Sequence, residues 1–76
     1  MPRKTNKPEK MVVKIQRPLG GYSAALIYNK NKSVMFQVPW KEAAHLFNDG
    51  EDKVYYNAKK FNGKLDILDR VPNQSW

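Results

Sequence analysis

The dipeptide Asn62-Gly63 is the sequence feature that most constrains how this chain folds. Asn-Gly in a two-residue turn favours the type I′ geometry, whose twist matches that of two antiparallel strands. It lies between segments 54–61 and 64–71, which contain β-branched and aromatic residues and each have the length of one strand. The last third of the chain is therefore predicted to form a β-hairpin.

Three further strands are predicted upstream of the hairpin, over residues 11–17, 23–28 and 33–38, where β-branched residues are bounded by turn residues. Residues 40–48 change period, because their apolar side chains recur at the spacing of one helical face. We predict one short helix there. Gly50 is expected to end it, since glycine adopts the left-handed conformation without a Cβ penalty.

The resulting order β-β-β-α-β-β predicts an α+β fold that is mostly β, with five antiparallel strands and one helix. This order fits a partly open barrel of the OB type, and it equally fits a twisted open sheet with the helix across one face. Residues 11–72 form the folded domain in this prediction, residues 1–10 a disordered basic arm, and residues 73–76 a short tail. Whether the ring of Trp76 packs on this domain or on a partner stays open.

Composition narrows the class of protein. The chain has 76 residues and no cysteine, so hydrophobic packing has to stabilise one small domain without disulfides or a Cys-based zinc site. No apolar segment approaches the roughly 20 residues that span a bilayer. The N-terminus also lacks the apolar stretch of a signal peptide. We therefore expect a soluble, cytoplasmic protein with no membrane partner.

The charge balance favours a polyanionic partner. Fourteen Lys and Arg against seven Asp and Glu give a formal net charge of +7. Eleven of the fourteen are lysines, whose flexible point charge attracts phosphate but reads guanine edges poorly. Any nucleic-acid binding, to DNA or RNA, is therefore expected to have little sequence specificity.

One side of the predicted hairpin interleaves rings with positive charge. If the two-residue turn sets the register, Phe61 faces Lys64. In the same register Tyr55 faces Arg70, and Lys59 lies on that side between the two pairs. Such a strip can stack bases at about 1 to 3 kcal/mol each and follow phosphates. The candidate nucleic-acid-binding residues are this strip and the cations of the arm: Tyr55, Lys59, Phe61, Lys64, Arg70, Arg3, Lys4, Lys7 and Lys10.

The opposite side of the hairpin is apolar and is predicted to face the core. It comprises Val54, Tyr56, Ala58, Leu65, Ile67 and Val71. A purely structural interpretation of the strip also stands. In it, Phe61 and Leu68 belong to a second buried layer, Lys59 and Asp66 form an ordinary cross-strand pair worth well under about 1 kcal/mol, and the basic arm serves solubility alone.

No residue pattern indicates catalysis. His45 is the only histidine, and the sequence places no second ligand or nucleophile near it. Asp49, Glu51 and Asp52 surround Gly50, but their spacing departs from the twelve-residue calcium loop. We therefore predict no enzymatic activity, no metal and no cofactor.

Two functional hypotheses follow from these features. The first is a nucleic-acid-binding protein with little sequence specificity, with lysines on phosphates and hairpin aromatics on bases. The second is a protein-binding module, a regulator or inhibitor that docks on a larger complex through a sheet edge or an exposed aromatic patch.

Overall fold

Five strands and one short helical segment make up the fold in a computed structural model that describes residues 8–72, 74 and 76. The strands are β1 (Glu9–Gln16), β2 (Ala24–Tyr28), β3 (Val34–Pro39), β4 (Lys53–Phe61) and β5 (Lys64–Val71). Between β3 and β4, one turn of helix α1 (Trp40–Ala43) continues into a 3₁₀ turn over Ala44–Leu46. The predicted fold class and element order are confirmed.

All five strands belong to one antiparallel sheet of order β3-β2-β1-β4-β5. β3 and β5 are its edges and, within the described part of the chain, do not pair with each other. Of the two architectures compatible with the sequence, the protein has the open sheet and not the OB-type barrel. A barrel would need the edge strands to close on each other, whereas β3 pairs with β2 alone and β5 with β4 alone among the strands that the structure describes.

The pairing of β1 with β4 extends over the full length of β1. β1 therefore begins at Glu9, two residues before the predicted start of the domain. Lys10, which the sequence assigned to the disordered arm, lies in the sheet opposite Lys59. The predicted disorder of residues 1–7 falls outside the described residues.

The hydrophobic core lies between the sheet and α1. Val13 and Ile15 on β1 and Val54 on β4 are fully buried, and Ala43 of α1 packs with them. The complete cluster consists of Val13, Ile15, Ala25, Ile27, Ala43, Val54, Tyr56 and Ala58. We call the side of the sheet that α1 covers the helix face and the opposite side the open face. The predicted core residues of the hairpin lie on the helix face, with Val71 as the exception.

The hairpin begins in the predicted register. Asn62 and Gly63 both have positive φ, 54° and 75°, as a type I′ turn requires. Phe61 faces Lys64 directly after the turn. The hairpin prediction is therefore confirmed.

A bulge in β5 changes the register farther along the hairpin. The ladder shifts between Ala58 and Tyr56, so that Tyr56 faces Arg70 and Tyr55 faces Val71. The predicted pair of Tyr55 with Arg70 is therefore wrong, and so is the assignment of Val71 to the core side. The physical reason is that one extra residue on a strand sends the following side chains to the opposite face.

The turn geometry predicts different effects of the same substitution at two glycines. Gly63→Ala should lower the free energy of unfolding by about 1–2 kcal/mol. In the left-handed region, the Cβ of an L-residue lies too close to the following carbonyl oxygen and destabilises the backbone by this amount. The added Cβ meets no atom within 4 Å, so backbone strain alone is tested. Gly20→Ala is the matched control, because its Cβ also meets nothing and its φ lies outside the left-handed region. It should be neutral or stabilising by up to about 1 kcal/mol. Equal losses at both sites in urea denaturation would contradict this geometry.

The core predicts where truncation is costly. Ile15 is 0% exposed and lies between Ile27 of β2 and Val54 of β4. Ile15→Ala should cost about 2–5 kcal/mol of unfolding free energy, measured by urea denaturation followed by circular dichroism. Val34 is 48% exposed, so Val34→Ala should change stability by less than about 0.5 kcal/mol. Comparable losses for both variants would show that Ile15 does not lie at the centre of the core.

Candidate nucleic-acid interface

The open face of the sheet concentrates lysine side chains from three strands. The strand registers place Lys10, Lys14, Lys53, Lys59 and Lys64 together on this face. We call them the open-face lysines. Two aspartates lie near them: Asp66 faces Lys59, and Asp69 in the β5 bulge borders the same shallow pocket as Lys10. Positive charge therefore predominates on this face.

Strand alternation explains why the lysines of β1 point away from α1. Val13 and Ile15 are buried in the core, so Lys14 between them projects from the opposite face. Its ammonium lies over the ring of Tyr28 on β2, with Nζ 5.1 Å from the ring centroid. A cation–π contact of this kind keeps both the charge and the ring at the surface.

Lys10 and Lys59 lie directly opposite each other on β1 and β4. Like charges in this position destabilise a sheet. Lys59 has Asp66 as its neighbour on β5. β1 pairs with β2 only from Lys14 onward, so among residues 8–72 Lys10 has no strand partner on its other side. A bound anion would relieve this repulsion.

Three of the five predicted hairpin residues lie together on the open face as expected. Lys59, Phe61 and Lys64 occupy the turn end of the hairpin, where Phe61 is 38% exposed. Its exposure contradicts the interpretation of Phe61 as part of a second buried layer. Lys10 of the predicted arm joins this group through its pairing with Lys59. Arg3, Lys4 and Lys7 lie outside the described residues.

Tyr55 belongs to the open face, but its ring is 0% exposed. Trp76 covers it, with ring centroids 5.3 Å apart and an edge-to-face angle of 74°. The Tyr55 hydroxyl also donates a hydrogen bond to the Trp76 carbonyl. The predicted exposure of Tyr55 is therefore wrong. The half-buried Trp76 packs on its own domain and presents an aromatic ring in place of Tyr55.

Arg70 lies on the helix face, because the β5 bulge places it opposite Tyr56. Its guanidinium forms an ion pair with Glu51 in the loop before β4. The hydrogen bond from Arg70 lowers the pKa of the Glu51 carboxyl, and the backbone N–H of Asn48, which donates to the same carboxylate at 2.8 Å, lowers it further. The sequence-predicted strip therefore loses Arg70.

Arg17 stabilises the same loop. Its guanidinium lies 4.9 Å from the ring centroid of Trp40 and 5.3 Å from that of Phe47. Its Nε donates a 2.7 Å hydrogen bond to the Glu51 carbonyl. Within the described residues, both arginines are thus used in structural contacts around the loop, and the strand cations of the open face are lysines.

Other sequence candidates find no site in the described part of the chain. His45 is exposed on the 3₁₀ turn, and no group of three His, Asp or Glu side chains is arranged to hold a metal ion among the described residues. The helical segments described are too short to cross a bilayer. Sequence reasoning missed Lys14 and Lys53 as members of the open face, because only the pairing of β1 with β4 aligns them with the hairpin.

The ion pair of Glu51 predicts a pH-dependent effect. A carboxyl whose pKa is lowered on folding stabilises the folded state above its ordinary value of 4.5 and loses this contribution as the pH falls through the folded-state pKa. Glu51→Gln should therefore destabilise the protein at neutral pH, and the difference from wild type should vanish in acid. Urea denaturation at a series of pH values measures it. Glu42→Gln on the exposed side of α1 is the control, and an equal pH-dependent difference there would contradict the role of the ion pair.

Comparison with known proteins gives no family for this chain, since no protein-family model, no curated protein and no solved structure matches it.

Proposed function

We propose that this protein binds nucleic acid with little sequence specificity through the open face of its sheet. The observation that carries the proposal is the convergence of five open-face lysines from three strands on a surface with two nearby aspartates. Lysines that neutralise phosphates release the counterions condensed on the polyanion, and this release supplies sequence-independent affinity.

The chemistry of the cations supports low sequence specificity. Arginine reads guanine by two parallel hydrogen bonds, which lysine does not form. Arg17 and Arg70 are held in contacts with the loop that contains Glu51. Their guanidinium groups are therefore not presented with the open-face lysines.

The exposed ring of Phe61 supports a contact of the open face with the bases of the nucleic acid as well as with its phosphates. It lies beside Lys64 at the turn end of the hairpin and two residues from Lys59 on the same strand, a separation of about 7 Å. An exposed ring between two ammonium groups offers a stacking surface with charge on either side. Stacking of one base is worth about 1–3 kcal/mol and tolerates any base.

Removal of two open-face lysines tests the proposal. The double variant Lys59→Gln, Lys64→Gln should weaken binding to labelled oligonucleotides, measured by fluorescence anisotropy at several salt concentrations. If each lysine neutralises one phosphate, the slope of log affinity against log salt should fall by about 1.4 for a single strand, since each contact contributes about 0.7. The fold should be retained, because both side chains project away from the core.

The control removes the same charge elsewhere. Lys32→Gln, Lys41→Gln also lowers the formal net charge from +7 to +5, in the exposed turn after β2 and on α1. It should leave the salt slope close to that of the wild type. Equal weakening by both double variants would assign binding to net charge rather than to the open face. Absence of wild-type binding at low salt would contradict the proposal and favour the protein-docking hypothesis, which predicts a stoichiometric partner that co-purifies after nuclease treatment.

A further inference from the structure

A slot opens at one end of the sheet, where β1 and β2 are not paired. β1 pairs with β2 only over Lys14–Gln16, so the part of β1 before Lys14 has β4 on one side and the turn after β2 on the other. The cavity between them has a volume of about 380 Å³. The ladder places Met11 of β1 and Lys60 of β4, which both line it, on the helix face, and Val12, which also lines it, on the open face.

The walls of the slot combine an aromatic ring with flexible apolar side chains. Trp76 lines it together with Met11, Val12 and Met35. The edge-to-face contact with Tyr55 and the hydrogen bond from the Tyr55 hydroxyl hold Trp76 in position. Thioether side chains adapt to flat rings and make favourable contacts with them. The slot is therefore suited to a flat, aromatic guest.

The rim of the slot is polar and carries a net positive charge. Lys30 and Lys60 contribute ammonium groups, and Glu9, which also lines the slot, lies opposite Lys60 in the ladder. Asn31 lies next to Lys30 in a turn that the side chain of Asn29 stabilises, because its Oδ1 accepts hydrogen bonds at 2.9 and 3.1 Å from the backbone N–H groups of Asn31 and Ser33. The amides of Asn31 and Gln74 border the cavity and can donate to and accept from a polar edge.

We propose that this slot takes one unpaired nucleobase of single-stranded nucleic acid, stacked against Trp76, with Lys30 and Lys60 on the flanking phosphates. This inference rests on the proposed function and names the form of nucleic acid that is bound. Bases in a duplex are paired and stacked on each other, so only a single strand can turn a base into a slot.

Fluorescence of Trp76 tests the inference directly. The chain has two tryptophans, and Trp40 lies on the helix face against Phe47, so Trp40→Phe leaves Trp76 as the only reporter. Titration with poly(dT), poly(rU) and a DNA duplex should show saturable quenching of Trp76 by the single strands but not by the duplex. Comparison of poly(dT) with poly(rU) shows whether the affinity differs between DNA and RNA. The quenching midpoint should coincide with that of binding measured by anisotropy.

Two variants test whether the slot itself contributes to single-strand affinity, and one of them leaves the packing of the domain intact. Trp76→Ala should lower single-strand affinity about 5- to 160-fold, the range for loss of one stacked base, but it also uncovers Tyr55. Lys30→Glu avoids this problem, because Lys30 is exposed in the turn after β2. It should weaken single-strand binding several-fold more than Lys32→Glu, the matched control in the same turn, which does not line the slot.

The possible outcomes distinguish a failure of the slot assignment from a failure of the proposed binding by the open face. Salt-sensitive single-strand binding without quenching of Trp76, or with equal effects of Lys30→Glu and Lys32→Glu, would overturn the slot and leave the proposed function standing. Equal quenching by duplex would overturn the assignment to an unpaired base. Absence of binding to every nucleic acid would instead reject the proposed function, and the slot assignment with it.

Discussion

The pairing of β1 with β4 is the interaction on which the rest of the structure depends. It joins the three N-terminal strands to the C-terminal hairpin in one sheet. On the helix face it brings Val13 and Ile15 against the apolar residues of β4, and this burial supplies the core that a small chain without disulfides needs. On the open face, the same register aligns Lys10 with Lys59. Core formation and the clustering of positive charge are therefore two consequences of one ladder.

The two faces of the sheet use their cations differently. On the helix face, Arg17 and Arg70 contact the loop around Glu51, where planar guanidinium groups stack on rings and pair with a carboxylate. On the open face, lysines project from the strands with few acidic partners, and one pair of them lies in direct opposition. Charges held by internal partners stabilise the fold, whereas charges without them favour an external anion. This difference is why the proposed interface lies on the open face.

Much of the fold and part of the site could be predicted from local pattern. The Asn62-Gly63 turn sets the register of the residues next to it, so Phe61 and Lys64 lie as expected. The prediction is wrong at the far end of the same hairpin, because an extra residue in β5 moves Arg70 to the other face. The alternation of β5 breaks where Ile67-Leu68 is followed by Asp69-Arg70, but the turn register alone does not take this break into account. The bulge brings Arg70 to Glu51 in a separate loop, a contact that no pattern within β5 indicates.

The sequence by itself determined the hairpin, the short helix, the order of the elements and the excess of lysine, because these follow from turn chemistry, periodicity and composition within short segments. The tertiary structure alone decided which strands are neighbours, where the bulge lies, that Trp76 covers Tyr55, and that a slot remains between β1 and β2. The physical reason is the distance along the chain over which the deciding interactions act. A residue's neighbours along the chain set its local conformation, whereas the face it occupies and the groups it meets depend on partners tens of residues away.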